Sequence, residues 1–237
     1  MPEISIKAEK IFEIFGVEIT NSLLLSSIVF LVFSGLAIKY FFDSKRTRKS
    51  TYYYLVNFIL KNIYQLFQSI LHEKTDYFFP LLASFFIFIL LQNWFGLLPG
   101  VGSILINHVP LLRGGNADLN TTLSLALLSV VLTQVFGIKY LGFKRYISKF
   151  INFANPIAFF TGILEITSEF SKIISFSFRL FGNIFAGEVL LTIMAFLIPV
   201  LASFPFLLLE VFVGLIQALV FSMLTAVFLN LAINTEH

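Results

Sequence analysis

The chain contains no cysteine, which excludes disulfides, thiolate nucleophiles and cysteine-based metal sites. Charge is scarce too. Asp, Glu, Lys and Arg make up 12% of its 237 residues, about half the usual ~25% of soluble domains. Histidine is confined to His72, His108 and the terminal His237, far apart and without metal-ligand spacing, so neither a metal nor a cofactor is expected. There is no GxxxxGK[ST] loop, which argues against direct ATP binding. The first residues, MPEISIKAEKIFEIFGVEIT, mix both charge signs and lack the basic and apolar regions of a signal peptide. The +3 net charge is spread over loops and points to no nucleic acid.

What the chain has in abundance is apolar surface. Hydrophobic residues account for 58% of positions and Phe alone for 31 residues. Runs of ~20 such residues cross the hydrocarbon core of a bilayer as helices. The pattern predicts an all-α integral membrane protein forming a single membrane domain over 1–237, with about five membrane-crossing helices in contact with lipid. An external lead-in occupies 1–20 and spans are expected at 23–42, 77–98 and 121–141. Segment 52–71 is amphipathic, with Asn57, Lys61, Asn62, Gln65 and Gln68 among Leu, Ile, Tyr and Phe, and is expected to lie in the interface. Pro99-Gly100 closes the second span. Two long, strongly tilted helices, 156–199 and 204–232, follow as an antiparallel hairpin. Pro199 and a Ser203-Phe204-Pro205 turn are expected to join them.

Orientation follows from Lys and Arg. Lys39, Lys45, Arg46, Arg48 and Lys49 lie at or just beyond the end of the first span, and Lys139, Lys144, Arg145 and Lys149 at or beyond that of the third, whereas the loop after the second has only Arg113. This places the N-terminus outside and the C-terminus in the cytoplasm.

The residues that carry chemistry lie in the longest helix. Lys172 and Arg179 sit there beside Glu165, Glu169 and Glu188, and a fixed charge at membrane depth costs from ~3 to more than ~10 kcal/mol. At ~100° per residue, Glu165, Ser168, Lys172, Ser175 and Asn183 fall within about 40° of Arg179, while Glu188 lies ~180° away. This phase holds only if the helix is unbroken at Gly182 and Gly187. Arginine stays protonated and cannot relay protons; a glutamate can. On the last helix Glu210 and Gln217 share a face, and Glu210 is placed to meet Glu188 across the hairpin. Gly182-x-x-x-Ala186 and Gly214-x-x-x-Ala218 are small-residue patterns of the kind that let membrane helices approach closely.

The motif Arg179-Leu-Phe-Gly-Asn-Ile-Phe-Ala-Gly-Glu188 resembles the signature of the F-type ATP synthase subunit a family. The resemblance continues in Asn93-Trp-Phe-Gly-Leu-Leu-Pro99, Ala117-Asp-Leu-Asn-Thr-Thr-Leu-Ser-Leu-Ala126, Leu164-Glu-Ile-Thr-Ser-Glu-Phe-Ser-Lys172 and Leu215-Ile-Gln-Ala-Leu-Val-Phe-Ser-Met-Leu-Thr225. It implies a stationary proton-channel subunit that forms two aqueous half-channels against a rotating c-ring and couples proton translocation to rotary ATP synthesis. Partners implied are the c-ring, the peripheral-stalk b subunits and, through the complex, the F1 sector. Arg179 matches the essential arginine facing the ring. Asn183, Glu188, Glu210 and Gln217 match positions where protons come in, and Glu165, Ser168, Lys172 and Ser175 match positions lining or flanking the way out. Some members carry histidine at one of the two carboxyl positions; here both are Glu, a pair that also suits Na⁺, so proton and sodium stay open. A bacterial plasma membrane is the expected location, ahead of an organelle inner or thylakoid membrane. The alternative, a secondary ion-coupled transporter, would show paired repeats with interrupted helices, and the first half holds no duplicate of the Arg179 segment.

Overall fold

The computed structural model describes residues 8–14, 17–98, 100–101, 104–106, 109–150, 156–198 and 203–234. Pro99, His108, Pro199 and His237, along with most of the lead-in's first residues, lie outside them. A small antiparallel ribbon, β1 (Lys10–Ile14) and β2 (Val17–Thr20), precedes the helices. Then come α1 (Asn21–Lys45), α2 (Thr51–Leu71) and α3 (Thr75–Gly96). A second ribbon, β3 (Leu105–Ile106) and β4 (Val109–Pro110), follows, with α4 (Leu119–Leu141), the short α5 (Phe143–Ser148), α6 (Pro156–Leu197) and α7 (Ser203–Ile233) completing the chain.

Helix starts are set by side chains that satisfy the first free amides. Thr20 accepts from the Leu23 amide, Ser50 from Tyr53 and Asp118 from Asn120. Gly142, at φ +83°, ends α4. His72 takes φ +50° in the 3₁₀ turn His72–Lys74, which redirects the chain between α2 and α3.

Five helical segments among the described residues are long and apolar enough to cross a membrane: Asn21–Lys45, Thr51–Gly96, Leu119–Leu141, Ile157–Leu197 and Ser203–Ile233. The protein is an all-α integral membrane protein. The second segment joins α2 and α3 in one run. Ile63, Phe67 and Leu71 of α2 turn inward, while Tyr54, Leu55 and Phe58 stay exposed.

The core lies among α2, α3, α4, α6 and α7, where Phe67, Phe78, Phe85, Phe86, Phe176 and Phe221 are buried. Lipid tails are as apolar as these side chains, so packing and interhelical hydrogen bonds must supply the specificity. Ser129 bonds Thr225 at 2.9 Å between α4 and α7, and Thr122 bonds Ser177 at 3.2 Å between α4 and α6. Asn93 Nδ2 on α3 donates to the Gly214 carbonyl of α7 at 2.8 Å, and Asn116 Nδ2 donates to Asn93 Oδ1 at 2.6 Å.

α6 is unbroken through Gly182 and Gly187 over 42 residues, about 63 Å at 1.5 Å per residue and roughly twice the ~30 Å hydrocarbon thickness. Its contacts with α7 ascend on one helix as they descend on the other: Phe176 meets Phe228 and Phe221, and Asn183 meets Gln217. The Ser203-Phe204-Pro205 turn expected from the sequence is corrected, because all three residues belong to the first turn of α7. Proline is tolerated there, since its missing N–H would have had no intrahelical acceptor.

Candidate functional site

α6 is the least enclosed of the spans. In its most apolar stretch 11% of the residues are buried, against 22–44% for the other four. Phe176, Ser177 and Leu180 face inward, whereas Ser168, Ser175, Arg179 and Asn183 are exposed and Glu165 and Lys172 half-buried. Because α6 does not break at its glycines, the stripe predicted by helical phase is continuous; Ser168, Ser175 and Arg179 open outward, while Lys172 and Asn183 reach α7.

Arg179 is exposed, as are Ile174 and Phe178 on the neighbouring face of the same helix. Its Nη2 donates a long hydrogen bond to Ser175 Oγ at 3.4 Å, one turn earlier. Among the described residues no carboxylate pairs with it. The two small-residue patterns divide by environment. At Gly214 an added methyl would meet Asn93 Cβ at 3.0 Å, so this glycine permits close helix packing. At Gly182 it would meet nothing within 4 Å, and Ala186 is exposed. Both lie within about 60° of Arg179 by helical phase, which leaves a smooth surface beside the guanidinium.

Toward the C-terminal end of α6 the polar positions converge with α7. Asn183 Nδ2 donates to Gln217 Oε1 at 2.8 Å, with Gln217 buried. Glu210 is 5% exposed, and its carboxyl packs so closely on Gly187 that any Cβ there would overlap it. Glu188, the next residue, turns elsewhere: its carboxylate lies 3.6 Å from Nε of Arg113, a guanidinium enclosed between α3 and α4. The two glutamates thus flank one stretch of α6 but have different partners.

The other end of the stripe is held by ion pairs. Lys149, just after α5, reaches Glu165 at 2.6 Å, and Lys172 reaches Glu169 at 2.6 Å while lying 4.6 Å above the Phe228 ring. Tyr146 of α5 donates to Gln134 Oε1 at 2.5 Å and fills the space that the absent Gly137 side chain leaves. Burial, and then the negative charges of Glu169 and Glu165, push the Tyr146 phenol up to about 12.

Sequence alone assigns no site role to Arg113, Lys149, Asn93 or Asn116, and shows Glu169 only as a further charge of the longest helix. Arg113 had one available signal, as the lone basic residue of the loop after the second span. Among the described residues, no three His, Asp or Glu side chains cluster as metal ligands.

The ATP synthase A chain family pattern matches residues 22–230. The chain is 35% identical over 176 residues to ATP synthase subunit a of Moorella thermoacetica, covering 74% of each. It is 37% identical to ATP synthase subunit a of Syntrophobacter fumaroxidans, over 76% of this chain and 70% of that protein. The chloroplastic ATP synthase subunit a of Oedogonium cardiacum is 39% identical over 67% of this chain and 60% of its own length.

Proposed function

The chain belongs to the ATP synthase A chain family, and from that premise we propose that it is the stationary half of a rotary proton translocase, lining two aqueous half-channels against a c-ring. The observation that carries this reading is Arg179: a permanent cation, exposed beside a smooth glycine–alanine surface, on the least enclosed helix. A fixed charge at that depth needs a protein or aqueous counterpart. A ring carboxylate passing along the stripe supplies one.

In this scheme protons come in through the α6–α7 end, by way of Glu188, Glu210, Asn183 and Gln217. There they neutralise a ring carboxylate, and the neutral site passes into lipid as the ring turns. After nearly a full rotation it meets the second half-channel, lined or flanked by Glu165, Ser168, Lys172 and Ser175, and releases its proton. The restored carboxylate is drawn to Arg179, which cannot itself carry a proton and therefore separates the two channels. The membrane potential contributes ~2.3 kcal/mol per charge per 100 mV. Arg113 fits this scheme as the counter-charge that fixes Glu188 at the mouth of the uptake path, a place better suited to a relayed proton than to Na⁺, which needs several oxygen ligands. The peripheral-stalk b subunits and the F1 sector complete the assembly, in a bacterial plasma membrane with the N-terminus outside.

Replacing Arg179 with Ala in the holoenzyme tests the reading. Coupled ATP synthesis and ATP-driven proton pumping in vesicles are expected to be abolished. Pumping at the normal rate would overturn the assignment.

A further inference from the structure

α6 carries two cations on one stripe, Lys172 and Arg179, seven residues and about 10 Å apart along the axis. Both project within ~20° of the same direction. A mobile carboxylate travelling along this face would find two attractors, and residence at the lower one would compete with return to Arg179. The structure treats them differently. Lys172 lies 2.6 Å from Glu169 Oε1, and both side chains are largely enclosed, at 17% and 15% exposure. Its ammonium also rests over the Phe228 ring of α7. The second Glu169 oxygen is buried without a hydrogen-bond donor among the described residues, so the carboxylate is held there by the lysine pair. Glu165, the remaining carboxylate of this end, is already taken by Lys149 at 2.6 Å. Among the described residues, Arg179 has only a hydroxyl at 3.4 Å.

We propose that Glu169 is a positioning residue that neutralises Lys172, leaving Arg179 as the single uncompensated cation presented to the ring carboxylate. Glu169 sits about 80° off the stripe, so it cancels the charge from the side without entering the face on which the partner moves. The inference rests on the proposed role of Arg179 and adds a residue that sets where the carboxylate stops.

The test compares Glu169→Gln with Glu169→Asp in the intact complex, read as ATP-driven proton pumping per assembled complex. Gln keeps the shape and a hydrogen-bonding oxygen but removes the charge; Asp keeps the charge and shortens the arm. Neutralisation predicts a severalfold loss of pumping for Gln and near-normal pumping for Asp. A packing role predicts the reverse order, and either that order or normal pumping by the Gln variant would overturn the proposal. If the Gln complex does not assemble, Glu169→Asp is the arm to read. Near-normal pumping by this charge-keeping, shorter side chain supports neutralisation, and its loss in an assembled complex refutes it. Loss of pumping in Arg179→Ala with normal pumping in Glu169→Gln would sink this inference alone. Normal pumping in both would remove the underlying reading as well.

Discussion

Gly187→Ala should leave the complex about as stable as before while stopping proton flow. Gly187 lies in the interior of α6, where exchanging glycine for alanine gains roughly 0.8–1 kcal/mol of helix propensity. The new methyl, however, would occupy the position of the Glu210 carboxyl, whose three terminal atoms are its nearest neighbours. These atoms are the far end of a flexible side chain, so the collision is relieved by rotating Glu210 rather than by parting the helices. An off-rotamer side chain costs about 0.5–1.5 kcal/mol. Gain and cost therefore cancel to within about 1 kcal/mol, and the melting temperature of the detergent-solubilised complex should hardly move. Function should not survive so well, because the displaced carboxyl leaves its seat on α6 at Gly187, among the positions proposed for proton uptake. ATP-driven acidification of inverted vesicles is expected to fall at least tenfold, corresponding to about 1.4 kcal/mol of lost transition-state stabilisation. Glu210→Asp shortens the arm by one methylene and leaves room for the methyl, so the double variant should pump better than Gly187→Ala alone. Two results would refute this reasoning: full pumping by Gly187→Ala, or additive losses in the double variant, since residues in contact should couple.

The remaining expectations concern the scaffold. Asn93→Leu removes the donor to the Gly214 carbonyl and the acceptor for Asn116. The Gly214 carbonyl keeps its helical bond, but the Asn116 amide left unpaired costs about 1–3 kcal/mol, so thermal melting should show clear destabilisation, greater than that of Thr122→Val. Tyr146, with its phenol at about 12 in the folded protein and near 10 unfolded, should stay un-ionised at pH values where exposed tyrosines titrate, as ultraviolet difference spectra against Tyr146→Phe would report. The sign follows from proton linkage: between those values the unfolded chain holds fewer protons, so stability falls as pH rises. The Tyr146 contribution is intact below pH ~10 and fades as pH climbs toward ~12, and a Tyr146→Phe variant should lose less stability over that window.

Much of this architecture is legible in the chain because a membrane imposes a simple code. Apolar runs of spanning length mark the helices. The stripe of Glu165, Ser168, Lys172, Ser175, Arg179 and Asn183 follows from helical phase alone, because α6 stays regular across Gly182 and Gly187. What escapes such reading is pairing between distant segments. Arg113 and Glu188 are 75 positions apart, and nothing local says that a loop guanidinium folds onto α6. Nor does periodicity announce that the Glu210 carboxyl lodges on Gly187, or that Asn93 links a loop to α7. Glu169 was within reach, three residues from Lys172, but it lies off the stripe and its pairing becomes plain only once burial is known. The Ser203–Pro205 segment read as a turn because proline and serine punctuate chains, yet the same residues serve equally well in the first turn of a helix.

The central claim, that the Arg179 face meets a ring of carboxylate-bearing helices, can be measured by cross-linking, since the chain has no cysteine of its own. A cysteine replacing the exposed Phe178 is paired with one placed beside the ring carboxyl, and disulfide formation in native membranes is followed under mild oxidation. Rapid cross-linking at position 178, with none from an equivalent cysteine replacing the exposed Leu31 of α1, is the predicted result. Equal cross-linking from both positions, or none at 178 in an assembled complex, would contradict it.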